Sequence, residues 1–137
     1  MTARLAAILL AAVPLAACGS SVPTEEPAGP REIGVLTIEP RALATRIEAG
    51  EPIQLIDVRT RQEFAEGHLP GAVNIPLDEF DPAALLPAER QERILYCRSD
   101  RRSGIAAERL SQAENSTVVH MAGGIVAWEK AGLPVER

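Results

Sequence analysis

Residues 93–112, RILYCRSDRRSGIAAERLSQ, place an apolar strand-length run, a short polar loop and a helical pattern in direct succession. The run RILY (93–96) is typical of a buried strand. In residues 103–112 the larger side chains follow helical spacing, and the small Ala106 and Ala107 permit close packing. A strand that leads directly into a helix is the building unit of α/β proteins, so this stretch predicts that class.

The same alternation of strands and helices continues on both sides of this segment. Pro40 suits the first position of a helix that ends at Gly50, and Thr60 with Glu63 forms a capping-box pattern that opens a helix ending at Gly67. We predict strands at 35–38, 53–58, 72–75, 93–96 and 117–120, and further helices at 78–86, at 103–112 and around Trp128. The alternation predicts an α/β fold with a small, mostly parallel central sheet and helices on both faces.

Length and composition exclude several classes of protein. The 137 residues are enough for one ordinary domain, and the formal net charge of −5 argues against nucleic-acid binding. Two cysteines cannot build a disulfide scaffold or a four-ligand zinc site, and the His, Cys and carboxylate residues form no cluster at metal-ligand spacing. We therefore expect neither a metal nor a cofactor.

The first residues have the pattern of an export signal. Residues 5–17 (LAAILLAAVPLAA) carry no charge, Arg4 supplies a basic start, and the apolar run is shorter than the about 20 residues that a spanning helix needs. The segment 15–18, LAAC, resembles the lipobox of bacterial lipoproteins. This resemblance implies that 1–17 is a signal peptide and that Cys18 carries lipid at the mature N-terminus. The alternative is a cleaved signal that releases a soluble periplasmic protein.

The segment after this signal is predicted to be a spacer. Residues 18–31 would comprise the lipid-bearing Cys18 and a flexible tether, because 19–31 (GSSVPTEEPAGPR) are rich in Pro, Gly and Ser. The globular domain is then predicted at 32–137. We expect an exported protein that is anchored by lipid to the bacterial cell membrane or outer membrane and faces the periplasm or the exterior.

Cys97 stands where the strand 93–96 ends and just ahead of a helix. At such a position the helix dipole and backbone N–H groups favour a thiolate over a thiol. Three arginines follow within five positions, namely Arg98, Arg101 and Arg102, and we expect them to draw in and orient an anion. A strand-end cysteine followed by arginines is poorly placed for burial, so we expect a reachable, reactive thiol rather than a buried, inert one.

Three blocks of the sequence resemble the signatures of one family. Residues 55–59 (LIDVR) with 63–76 (EFAEGHLPGAVNIP) resemble the N-terminal signature of the rhodanese-like domain. Residues 96–103 (YCRSDRRS) resemble its active-site loop, and 123–135 (GGIVAWEKAGLPV) resemble its C-terminal signature. The resemblance covers 33–136 and is to the single-domain periplasmic type.

The resemblance implies sulfurtransferase chemistry. Cys97 would take the sulfane sulfur of thiosulfate or a related anionic donor as a persulfide, and would pass it to cyanide or a thiol. The substrate would bind to the loop residues Arg98, Ser99, Asp100, Arg101, Arg102 and Ser103. Cysteine phosphatases place an arginine six positions after the cysteine, whereas here that position is Ser103, so phosphatase or arsenate-reductase activity is disfavoured.

One loop residue departs from the family pattern. Many active loops of the family have glycine where Asp100 stands. Aspartate tolerates the left-handed backbone better than most residues, so the loop can still close. Its charge, however, would repel an anionic donor if the carboxylate faced inward, which leaves the identity of the donor open.

The remaining polar residues of the motifs are assigned structural roles. The resemblance implies that Asp57 and Arg59 support the site as an ion pair or through hydrogen bonds. We expect His68 to fix a turn, His120 to be a satisfied structural residue and Trp128 to anchor the last helix.

A second function is compatible with the same resemblance. The chain would then be a non-catalytic rhodanese module of the cell envelope, which carries a persulfide or binds an envelope protein. The retained Cys97 favours the enzyme, and Asp100 favours the module. The partners expected for either function are small molecules, the membrane through the lipid, and proteins, but no nucleic acid.

Overall fold

Five parallel strands alternate with four α-helices in residues 32–85 and 91–137, the part of the chain that the computed structural model describes. The strands are β1 (Gly34–Ile38), β2 (Ile53–Asp57), β3 (Val73–Asn74), β4 (Glu92–Tyr96) and β5 (Thr117–Met121). The α-helices are α1 (Pro40–Glu48), α2 (Arg61–Glu66), α3 (Arg101–Glu114) and α4 (Gly124–Lys130). The strand order is β1-β5-β4-β2-β3, and all neighbouring strands are parallel. The predicted α/β fold with a parallel central sheet is confirmed.

The prediction of a helix at 78–86 is wrong. Residues 77–79 form a turn and a 3₁₀ helix covers Pro82–Leu85, while residue 86 lies outside the described residues. Pro82 explains the difference, because proline lacks the N–H of a helical hydrogen bond and disfavours the α conformation in the residue before it. The Asp81 carboxylate instead accepts a hydrogen bond from the Ala83 N–H at 3.0 Å.

The sheet is buried on both faces, and the side chains of β4 and the residue after it alternate between them. Ile94 and Tyr96 lie in the apolar cluster beneath α1 and α4, whereas Leu95 and Cys97 lie in the cluster beneath α3. All four residues are 1% exposed or less. Full burial of a large apolar side chain contributes about 1.5–3 kcal/mol, so β4 is central to the stability of the domain. The prediction of helices on both faces is confirmed.

Trp128 fixes the C-terminal segment to the core, as the sequence predicts. Its side chain is buried, and its indole N–H donates a hydrogen bond to the Pro134 carbonyl oxygen at 2.8 Å. The position of α4 is therefore set by the same apolar cluster that holds β4.

The carboxyl ends of the three central strands meet at one edge of the sheet. Asp57 at the end of β2 pairs with Tyr96 at the end of β4, and Leu95 pairs with His120 of β5. In open parallel sheets, ligand sites form at this edge because the loops into the following helices converge there. The loop 97–100 between β4 and α3 lies at this edge.

The predicted signal peptide, the lipid-bearing Cys18 and the tether lie outside the described residues. Within the described ranges, no helix has both the length and the apolar character to cross a bilayer.

Candidate active site

The N-terminus of α4 binds the backbone of the cysteine loop. The N–H groups of Ile125 and Val126 donate to the carbonyl oxygens of Cys97 at 2.9 Å and Arg98 at 3.3 Å. These donors belong to the first turn of a helix, where N–H groups have no partner within the helix. The loop therefore acts as the cap of α4, and α4 in turn fixes the position of the loop.

Gly124 makes this approach sterically feasible. A Cβ atom on Gly124 would lie 2.4 Å from the Cys97 carbonyl oxygen and 2.5 Å from the Arg98 carbonyl carbon. Gly124 also has φ +57°, a conformation that L side chains rarely adopt. The close contact between α4 and the loop thus explains Gly124, whereas a Cβ atom on Gly123 would lie 2.5 Å from the Ala127 Cβ atom of α4 itself.

The prediction of an exposed Cys97 is wrong, because the residue is only 1% exposed. Cys97 continues the alternation of β4, so its side chain shares a face with Leu95 and lies in the cluster that contains Ala106 and Ala107 of α3. The arginines do not prevent this burial, because α3 begins at Arg101 and its first turns lie over the sulfur side of the sheet.

Ser103 and His120 form a polar chain that starts at the buried sulfur. Cys97 Sγ lies 3.4 Å from Ser103 Oγ, and Ser103 Oγ lies 3.1 Å from His120 Nδ1. Burial lowers the pKa of His120 from its ordinary value. The sequence predicts only a structural role for His120, and the strand order that places β5 beside β4 is what brings it to the site.

Arg102 is committed to a carboxylate and does not serve as a free anion ligand. Its two terminal nitrogens donate to the two oxygens of Glu63 at 2.7 and 2.8 Å. Glu63 also completes the predicted capping box, because it accepts the Thr60 N–H at 3.0 Å. The Arg102 hydrogen bonds, opposed in part by burial, lower the pKa of Glu63 to about 2. This pair links α2 to α3, and an anion that bound at Arg102 would have to compete with the Glu63 carboxylate.

Arg98 is the residue of the loop 97–103 that lines a neighbouring cleft, whose volume is about 210 Å³. Ser99 and Arg101, which are close to Arg98 along the chain, are also exposed. The cleft runs between α2 and α4, and its lining residues are Arg59, Glu63, Glu66, Gly67, Arg98, Ile125, Val126 and Glu129. Carboxylates thus share the cleft with Arg98.

Asp100 adopts a different conformation from the one expected. Its φ is −136°, so the loop closes without a left-handed residue at this position. The carboxylate accepts a hydrogen bond from the Gly123 N–H at 2.8 Å, which joins the loop to the turn before α4. This contact directs the Asp100 charge toward the turn, and it gives the residue a structural task that a glycine could not perform.

Asp57 and Arg59 form the supporting ion pair that the sequence predicts. Arg59 Nε lies 3.0 Å from both carboxylate oxygens of Asp57, and Arg59 Nη2 lies 2.6 Å from Oδ2. Arg59 Nη2 also donates to the Gly67 carbonyl oxygen at 2.7 Å. Asn74, which the sequence analysis did not single out, donates to the carbonyl oxygens of Asp57 and Arg59 at 3.0 and 2.9 Å. This network holds the loop after β2 beside the cleft.

Tyr96 and His68 make hydrogen bonds that hold the segment 64–69, at the end of α2. The Tyr96 hydroxyl accepts the Leu69 N–H at 3.1 Å, and burial together with the Asp57 charge raises the pKa of Tyr96. His68 Nδ1 lies 3.0 Å from the Phe64 carbonyl oxygen, and its ring stacks on the Phe64 ring. These contacts match the turn-fixing role predicted for His68.

Gly124→Ala is expected to destabilise the domain more than Gly132→Ala. Gly132 has φ +75° and no atom within 4 Å of an added Cβ, so its substitution costs only the left-handed backbone penalty of about 1–2 kcal/mol. At Gly124 the contact with Cys97 adds an overpacking penalty, and the total is expected to reach about 3 kcal/mol or more. Urea unfolding of both variants measures the difference; equal losses would contradict the proposed contact.

Glu63→Gln is expected to remove a pH-dependent contribution to stability, while the glutamine still caps α2. The pKa of Glu63 falls from its ordinary value of 4.5 to about 2 on folding. Its carboxylate therefore stabilises the folded state fully at pH values above 4.5, and this contribution is lost as the pH falls through about 2. The variant should be about 1–2 kcal/mol less stable at pH 7, and this deficit should shrink between pH 5 and pH 2. Glu79→Gln, which removes an exposed ion pair with Arg61, is the matched control in urea unfolding and should change little.

Comparison with known proteins agrees with the fold. The family model described as the rhodanese-like domain matches residues 39–131. An uncharacterized protein of Synechocystis sp. is 37% identical over 99 residues, which are 72% of this chain and 55% of that protein. A sulfurtransferase of Allochromatium vinosum is 35% identical over 100 residues, which are 72% of this chain and 92% of that one. The crystal structure of a rhodanese-related protein from Thermoplasma volcanium aligns with a TM-score of 0.64 and 28% identity, covering 73% of this chain and 96% of that one. The chain belongs to the rhodanese-like family.

Proposed function

We propose that this protein is a sulfurtransferase that holds sulfane sulfur as a persulfide on Cys97. The observation that carries the proposal is the position of Cys97 at the carboxyl end of β4, with the Ser103 hydroxyl 3.4 Å from its sulfur. The sulfurtransferase relative, which matches over 92% of its own length, supports the same class of reaction.

The proposed reaction has two half-reactions. In the first, the Cys97 thiolate attacks the outer sulfur of thiosulfate, a new S–S bond forms, the S–S bond of thiosulfate breaks, and sulfite leaves with the electron pair. In the second, cyanide or a thiolate attacks the outer sulfur of the persulfide, and the Cys97 thiolate leaves with the electron pair of the broken bond. Neither half-reaction requires an external oxidant or reductant.

The burial of Cys97 is compatible with this chemistry. A persulfide places the transferred sulfur about 2.05 Å from Sγ. The acceptor then reacts with this outer atom and does not have to reach Sγ. A narrow donor whose reactive atom is a terminal sulfur suits such a site better than a bulky substrate.

Arg98 is the cation that we assign to the anionic donor. It is exposed, and it lines the cleft beside the loop. Arg102 is paired with Glu63, and Arg59 is paired with Asp57, so a donor at either arginine would compete with a carboxylate already in place.

The alternative is a rhodanese module that carries a persulfide for a protein partner or binds one without catalysis. Two observations favour it: Cys97 is 1% exposed, and Glu66 and Glu129 line the cleft beside Arg98. These carboxylates disfavour a free dianion such as thiosulfate. A partner that presents a basic surface would be favoured by the same charges.

Cys97→Ser is expected to abolish thiocyanate formation from thiosulfate and cyanide, because serine cannot form the persulfide. Cys18→Ser is the matched control and should retain the activity, since Cys18 precedes the domain. Mass spectrometry of the peptide that contains Cys97 should show a gain of about 32 Da, one sulfur atom, after thiosulfate treatment. A wild-type chain that gains sulfur but produces no thiocyanate would favour the carrier, and a chain that gains none from any sulfane donor would overturn both the enzyme and the carrier and leave only partner binding.

We also propose that the protein is exported and anchored to the cell envelope through lipid on Cys18. Residues 5–17 and the LAAC sequence at 15–18 support this proposal. Two or more acyl chains give stable membrane binding, whereas a single chain binds only marginally. The sulfur chemistry would then take place on the periplasmic or outer side of the membrane.

Cys18→Ser is expected to abolish lipid incorporation in a bacterial host. The wild-type chain should incorporate labelled fatty acid and sediment with membranes, and Cys97→Ser, which keeps Cys18, should do the same. A wild-type chain recovered without label in the periplasmic fraction would instead support a cleaved signal peptide and a soluble protein.

A further inference from the structure

Ser103 stands at the centre of three polar contacts. Its Oγ atom lies 3.4 Å from Cys97 Sγ, 3.1 Å from His120 Nδ1 and 3.1 Å from the Asp100 carbonyl oxygen. Ser103 is 0% exposed and His120 is 7% exposed. Because Ser103 is on α3 and His120 is on β5, these contacts depend on the tertiary fold.

The number of hydrogen atoms decides which group donates in each contact. A hydroxyl has one hydrogen to donate and two lone pairs, whereas a carbonyl oxygen only accepts. If His120 Nδ1 had no hydrogen, Nδ1 and the Asp100 carbonyl oxygen would compete for the single Ser103 hydrogen. If Nδ1 carries the hydrogen, it donates to Ser103 Oγ, and the hydroxyl hydrogen remains free for another partner. The second arrangement satisfies all three contacts.

We propose that neutral His120, with its hydrogen on Nδ1, is a positioning residue that directs the Ser103 hydroxyl toward the Cys97 sulfur when that sulfur is charged. With a thiol, the S–H group donates to Ser103 Oγ, and the hydroxyl donates to the Asp100 carbonyl oxygen. With a thiolate, the hydroxyl rotates and donates to the sulfur. Nδ1–H donates to Oγ in both arrangements, so the oxygen stays in place while its hydrogen moves.

The rotation costs little because the Asp100 carbonyl oxygen has a second donor. The Gly104 N–H donates to this oxygen at 2.9 Å and remains there when the hydroxyl turns away. A hydrogen bond to a charged acceptor is stronger than one to a neutral carbonyl. The charge on the sulfur therefore determines the orientation of the hydroxyl.

The surroundings of His120 favour a neutral ring. His120 pairs with Thr37 of β1 and Leu95 of β4, and Gly104 of α3 lies near its Cε1 atom. Burial lowers the pKa of His120, and the Asp100 carboxylate opposes this effect in part. A neutral ring provides one donor at Nδ1 without adding a charge beside the sulfur.

This inference rests on the proposed function, because the thiolate is both the nucleophile and the leaving group of the sulfur transfer. In the second half-reaction, negative charge develops on Sγ as the acceptor removes the outer sulfur. A donor already held beside Sγ stabilises that charge without reorganisation. His120 should thus influence the rate of transfer more than the binding of the donor.

The test compares His120→Leu, which removes the donor, with His120→Asn, whose amide N–H lies near the position of Nδ1. In the full chain, His120→Leu is expected to lower both kcat and kcat/KM for cyanide by about tenfold, because kcat/KM for cyanide reports the half-reaction in which the thiolate leaves. His120→Asn should stay within about threefold of the wild-type kcat. If the leucine variant does not fold, His120→Gln replaces it. The amide of glutamine lies one bond farther from the backbone than that of asparagine, so it does not supply a donor at the position of Nδ1.

A double-mutant cycle shows whether His120 acts through Ser103. Ser103→Ala is expected to lower kcat by about tenfold, and Ser103→Ala with His120→Leu should be no slower than Ser103→Ala alone. The rate at which iodoacetamide alkylates Cys97, followed on the tryptic peptide 94–98, should show the same pattern. Thermal unfolding of each variant separates these effects from a loss of stability.

Three outcomes would overturn the inference: additive effects of the two substitutions, equal rates for the asparagine and leucine variants, or a change in unfolding temperature alone. The alkylation rates report on His120 even if no sulfur is transferred. The wild-type chain could lack transferase activity while the effects of Ser103→Ala and His120→Leu on the alkylation rate are coupled. That result would reject the proposed function and support the inference.

Discussion

The contact between the first turn of α4 and the loop after β4 is the feature on which the site depends. Helical N–H groups that would otherwise lack a partner bind the carbonyl oxygens of Cys97 and Arg98. The approach is so close that it requires glycine at position 124. Because Trp128 anchors α4 in the core, the position of the loop that carries Cys97 is fixed by a segment about 30 residues later in the chain. The loop 97–100 is thus held by tertiary contacts as well as by its own sequence.

Arginines that look equivalent in the sequence have different tasks in the structure. Arg59 and Arg102 are each paired with a carboxylate, and these pairs tie together the loops and helices around the cleft. Separating the buried pair of Arg59 and Asp57 is costly, because it leaves an uncompensated charge. Arg98 and Arg101 remain exposed, and Arg98 lines the cleft. Two of these four arginines therefore build the site, and the other two remain available to an anion.

In the proposed sulfur transfer, the buried sulfur of Cys97 and the exposed arginines have different roles. A thiolate that is shielded from solvent depends on hydrogen bonds from the protein, and the Ser103 hydroxyl is placed to provide one. In the proposed second half-reaction, the acceptor attacks the outer sulfur of the persulfide and does not have to reach Sγ itself. The same burial limits side reactions of the free thiol, which matters for a cysteine outside the cytoplasm, where we propose that this protein works.

The features that depend on neighbours along the chain were predictable from the amino-acid sequence: the alternation of strands and helices, the capping box at Thr60, the start of α1 at Pro40 and the position of Cys97 at the end of a strand. The sequence also contained the signal against the helix at 78–86, since Pro82 interrupts it. The tertiary structure alone decided that Cys97 is buried, that Arg102 binds Glu63 across 39 positions and that His120 contacts Ser103 across 17. The physical reason is that these contacts follow from the strand order β1-β5-β4-β2-β3, and local periodicity does not specify which strands become neighbours.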